Sequence, residues 1–72
     1  MTKKIKIKIE GMHSAACGAN VTRSLTKAGA KNVNVNVIMG KAFADIDESI
    51  TDDKIKKAVK DVGFSVKEIG SE

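Results

Sequence analysis

Tryptophan and tyrosine are absent from these 72 residues, and phenylalanine occurs only as Phe43 and Phe64. A sheet that binds single-stranded nucleic acid stacks bases on aromatic side chains, so this scarcity, together with the lack of a basic-Gly-aromatic motif, argues against that class. Cysteine occurs once, at Cys17, so no internal disulfide can staple the chain. A lone thiol suits a reducing compartment. No apolar stretch approaches the roughly 20 residues that cross a bilayer, and no charged-then-apolar leader precedes the first strand-like run. The expectation is a cytoplasmic protein, or a cytoplasmic piece of something larger, with no membrane contact of its own.

What is present is a single short domain, residues 1–72, whose core must supply its stability. The net charge is +4, with lysines dispersed along the whole chain. A spread excess of this size favours solubility and steering toward an acidic partner more than nucleic-acid binding.

Hydrophobic periodicity gives the order of elements. From Lys4 to Ile9, isoleucines at 5, 7 and 9 alternate with lysines at 4, 6 and 8, the period-two pattern of a strand with one buried face. Cys17, Val21, Leu25 and Ala28 follow at helical spacing, with Ala16 beside them and Asn20, Arg23 and Lys27 opposite. Ser14 is placed to cap this helix, and Gly29 to end it. Asn32 to Ile38 alternates valine with asparagine, Met39-Gly40 turns, and Lys41 to Asp47 runs back with Ala42, Ala44 and Ile46 on one face, a hairpin pattern. Thr51 caps a second helix, whose stripe is Ile55, Ala58, Val59 and Val62, and Asp52 and Asp53 complement its dipole. Phe64 to Ile69 reads as a last strand that loses its phase after Val66. Gly70-Ser71-Glu72 reads as a frayed end or the start of a linker.

The order βαββαβ specifies an α+β, ferredoxin-like sandwich: a four-stranded antiparallel sheet with both helices on one face. That fold hosts many functions, so the site must decide. An acylphosphatase-like enzyme would join a loop of backbone donors to an arginine that holds phosphate. The single arginine, Arg23, falls on the outer side of the first helix, and no serine, histidine and carboxylate trio stands out. Enzyme activity is not expected.

The distinctive stretch is Gly11-Met12-His13-Ser14-Ala15-Ala16-Cys17, between the first strand and the first helix. A helix that opens at Ala15 puts Cys17 in its first turn, where free backbone N–H groups and the positive end of the dipole favour a thiolate. Gly11 lets the chain swing sharply out of the strand. The competing reading of Cys17 is a small core residue on the apolar stripe.

The Gly11-Met12 entry followed by Cys17, with the element order, Lys41–Asp47 as third strand and Val62-Gly63-Phe64 after the second helix, resembles the heavy-metal-associated domain of copper chaperones and copper-transporting P-type ATPases. The family motif is G-M-x-C-x-x-C, and Ser14 stands where its first cysteine belongs. The resemblance implies Cu(I) binding and transfer, with Ag(I) and Hg(II) sharing the preference for sulfur. It implies a metal loop of Met12, His13, Ser14 and Cys17, with Gly11 and Phe64 beside it. Within that set Met12 is expected to pack beneath the loop and His13 to face water more often than metal. A hydroxyl is a hard neutral donor and does not replace a thiolate, so Ser14 implies a weakened site. Cys17 then completes its coordination with a small thiol or with Cys17 of a second molecule. The implied partner is another heavy-metal-associated domain. The alternatives are a metal-free ferredoxin-like regulatory module and a mercury carrier.

Overall fold

Three isoleucines on one side of a strand cannot be left in water, because each contributes about 1.5–3 kcal/mol on burial. Ile5, Ile7 and Ile9 are accordingly buried in β1 (Lys3–Glu10), with the lysines between them on the other face. The computed structural model describes residues 2–71. The remaining elements are α1 (Ala15–Lys27), β2 (Lys31–Asn36), β3 (Lys41–Ile46), α2 (Asp52–Asp61) and β4 (Ser65–Ser71). The strands form one sheet in the order β2-β3-β1-β4, antiparallel throughout. This is the ferredoxin-like α+β sandwich that the periodicity predicts.

The core lies between this sheet and the helices. Ile5, Ile7, Ala42 and Ala44 meet Val21 and Leu25 of α1 and Ile55 and Val59 of α2, all buried. The helices are tied to each other where the Ser24 hydroxyl donates to the Ala58 carbonyl at 2.6 Å.

Several boundaries depart from the sequence expectations. Gly70 and Ser71 are not frayed: they belong to β4, opposite Lys6 and Ile5, because β1 offers a ladder long enough to pair them. Glu72 lies outside the described residues. The lost phase in β4 is a bulge, since Ile9 faces Val66 while Lys8 faces Glu68, leaving Lys67 as the extra residue. β2 stops at Asn36 rather than Ile38, and residues 37–40 form the turn. Phe64 precedes β4 instead of opening it.

The buried face of α1 is also rotated from the expected stripe. Gly18, Val21 and Leu25 are buried, Cys17 is half-buried, and Ala16 is exposed. The cause is Gly18: a Cβ there would stand 2.8 Å from Val37 Cγ2 and 3.5 Å from Val35 Cγ1, so the helix touches β2 and the turn after it through its backbone. Only glycine permits that approach.

Candidate functional site

β1 delivers the chain to the loop, and Gly11 turns it with φ +99, a left-handed conformation that side chains resist. The Phe64 ring closes over this glycine, 3.1 Å from where a Cβ would sit. Met12 follows and is 8% exposed, its side chain within the core cluster. His13 and Ser14 are exposed. The thioether of Met12 therefore anchors the loop from below, while His13 stands at its outer rim.

Ser14 occupies the N-cap of α1 in extended backbone, φ −148 and ψ 165, yet its side chain makes no cap hydrogen bond. Its carbonyl accepts from the N–H of Cys17 at 3.0 Å and of Gly18 at 3.3 Å. The hydroxyl instead donates to Cys17 Sγ at 3.5 Å. The Ser14 side chain thus serves the sulfur rather than the helix end, which corrects its reading as an ordinary side-chain cap.

Cys17 is half-buried and free, in the first turn of α1. Its thiol is held below its usual pKa, first by main-chain N–H donation from His13, then by the Ser14 hydroxyl and main chain, against the opposing effect of burial. No acidic residue occupies the first turn of α1, so no carboxylate competes with a thiolate for the helix end. The geometry presents one soft, half-exposed sulfur whose ionisation is favoured by its hydrogen-bond partners. Among the described residues no three His, Cys, Asp or Glu side chains cluster for a metal, so a tetrahedral zinc site of the usual kind is not built here.

Of the loop and flanking residues expected from the sequence, His13 and Ser14 direct hydrogen bonds at Cys17, Phe64 lies against Gly11, and Met12 packs into the core. Gly18 escaped sequence reasoning although it sets how closely the Cys17 turn lies on β2. A glycine inside a helix costs about 1 kcal/mol relative to alanine, and that cost was the available signal. Away from the loop, Arg23, Lys27, Lys54 and Lys57 rim a groove of about 500 Å³ between the helices. Phe43 lines a smaller depression with Lys4 and Asn34.

A ferredoxin-like sandwich with a thiol loop entering its first helix defines a class of small metal-binding modules. Residues 6–65 match the heavy-metal-associated domain family. The chain belongs to that family, whose members bind soft metals such as Cu(I) or Hg(II). It is 34% identical over 67 residues to a mercuric reductase of Staphylococcus aureus, covering 93% of this chain and 12% of that protein. The chain thus spans about an eighth of the curated relatives it matches, and the likeness concerns that portion alone. Among solved structures, a copper-binding domain of the P-type ATPase HMA7 superposes with a TM-score of 0.88 at 28% identity, covering 97% of this chain and 96% of that one. Oxidised MerP from Ralstonia metallidurans CH34 superposes at 0.84 with 25% identity, covering 94% and 100%.

Proposed function

We propose that residues 1–72 act as one heavy-metal-associated domain that takes Cu(I) at Cys17 and passes it on by thiolate exchange, with half of the usual ligand pair. The observation that carries this reading is the Cys17 sulfur itself, half-exposed in the first turn of α1 with its pKa lowered. Low-coordinate soft ions are selected by thiolates, and two are enough to hold one while leaving it open to exchange. Ser14 contributes a hydrogen bond in place of a bond to metal, which weakens the site. His13 is an auxiliary donor at most, and Met12 supports the loop from the core.

The partner in this reading is another heavy-metal-associated domain, of a copper chaperone or a P-type ATPase, met in the cytoplasm. Among the described residues no helix is long and apolar enough to cross a membrane. The dispersed lysines favour an acidic partner, and association rates that do not fall with added salt would count against that preference. A second reading, a Hg(II)-carrying domain of a larger enzyme, is favoured by the likeness to mercuric reductase. A metal-free regulatory role and catalysis find no comparable support.

Competition titration with Cu(I) under reducing conditions tests the proposal. Ser14→Cys is expected to tighten Cu(I) binding more than about tenfold, which is about 1.4 kcal/mol. Cys17→Ala is expected to abolish it. Equal affinity in wild type and Ser14→Cys removes the idea of a replaced ligand, and undiminished binding in Cys17→Ala removes the site.

A further inference from the structure

The turn of residues 37–40 leaves apolar surface in water that the fold does not need to expose. Ile38 is 98% exposed and Met39 56%, the large hydrophobic side chains left outside the core among the described residues. The five other isoleucines of residues 5–55 that enter the core are all buried, so an isoleucine in full solvent beside a methionine points outward to something else. The turn is fixed without a covering element. The Met39 N–H donates to Asn36 Oδ1 at 3.0 Å, the Gly40 N–H to the Val37 carbonyl at 3.2 Å, and the Ile9 N–H to the Gly40 carbonyl at 2.8 Å. Little backbone freedom therefore remains to be lost when the two side chains are covered.

The charges near this tip have an order. Residues 32–40 contain no Asp, Glu, Lys or Arg, in a chain where these make up 31%. Cations stand directly behind: Lys41 follows Gly40, and Lys8 of β1 lies opposite Lys41. Two acids share this end, Glu68 at 3.7 Å from Lys8 and Glu10 at 3.1 Å from Lys67, both in exposed pairs that water screens. Lys41 has no acidic partner among the described residues. Asp45, Asp47, Glu48, Asp52 and Asp53 lie at the other end of the sheet, where β3 finishes beside the start of β1 and α2 begins.

We infer that the Ile38–Met39 tip enters the headgroup boundary of an anionic bilayer, with Lys8 and Lys41 against the lipid phosphates. A protein partner fits the tip less well, because two side chains cannot approach the roughly 800 Å² per partner of a stable protein interface. A bilayer requires no complementary pocket, takes up apolar side chains singly, and attracts a net charge of +4. The expectation of no membrane contact rests on the lack of a spanning segment, and a tip that only enters the boundary needs none. The inference is independent of metal binding at Cys17. The contact would nevertheless bring the thiol loop close to the membrane, since Val37 of the same turn lies against Gly18.

Co-sedimentation of the full 72-residue chain with vesicles of equal parts phosphatidylglycerol and phosphatidylcholine tests the contact. The wild type is expected to partition onto these vesicles, more weakly as salt is added, and at least fivefold less onto phosphatidylcholine alone. The double variant Ile38→Ser, Met39→Ser keeps every charge and is expected to lose at least fivefold in partitioning. Both side chains lie in solvent, so the fold is retained, and circular dichroism checks it. The chain has no tryptophan, so a separate Met39→Trp variant carries a single reporter whose emission should shift to the blue when the anionic vesicles are added. A wild type that stays in the supernatant overturns the inference and leaves the tip to a protein pocket. Equal partitioning of the double variant also overturns it, because lysines alone would then account for the association. So does an unshifted emission from vesicle-bound Met39→Trp protein.

Discussion

The two helices begin in opposite ways. α2 is built to be stable at its start: the Thr51 hydroxyl accepts from the Lys54 N–H at 3.3 Å, and Asp52 and Asp53 answer the dipole. α1 follows a strand in the same manner and packs on the same sheet, yet has neither acidic residue nor side-chain cap in its first turn. Its Ser14 hydroxyl and the main-chain N–H of His13 are directed at Cys17 instead. The contrast separates an end whose side chains cap the helix from an end whose donors face the Cys17 sulfur.

The largest test of this contrast is that it should vanish at the buried faces of the two helices. Leu25 and Ile55 are both fully buried, so Leu25→Ala and Ile55→Ala should each cost about 2–5 kcal/mol in urea unfolding. A much smaller loss for either would mean that its helix is not anchored as described. At the helix starts the difference should reappear. Thr51→Ala should cost about 1 kcal/mol, the usual value of a lost N-cap, whereas Ser14→Ala should change stability by no more than a few tenths. Equal costs at the two positions would erase the distinction.

The smallest effect is read in chemistry rather than stability. The folded pKa of Cys17 lies below that of the unfolded thiol, so its contribution to stability is present above the unfolded value and is lost as pH falls through the folded one. In the window between them the folded protein carries thiolate where the unfolded chain carries thiol. Alkylation by iodoacetamide should therefore begin at lower pH in the native protein than in urea, and Ser14→Ala should move the native midpoint upward. Coincident native and urea profiles would show that the helix start does not act on the sulfur.

Much of this was legible before any coordinates. The alternation of β1, the capping of α2 and the loop from Gly11 to Cys17 are local patterns, in which each residue's role follows from its immediate neighbours. The misplaced features share a different origin. Ala16, expected beside the apolar stripe, is exposed while Gly18 is buried, because the turn after β2 presses on α1 at Val37, a contact between residues nearly twenty positions apart. Gly70 and Ser71 resemble a tail by composition and become strand because Lys6 and Ile5 are there to pair with them. Ser14 carries the composition of a cap, and only the position of Sγ turned its hydroxyl elsewhere.

By itself, the order of residues determined the succession of strands and helices, the family, and the place of the single thiol at the entry to the first helix, because these depend on period and local chemistry. Only the tertiary structure decided that the thiol loop, Phe64 and the turn of residues 37–40 share one end of the sheet. Three segments distant along the chain become neighbours only when antiparallel pairing folds their strands side by side.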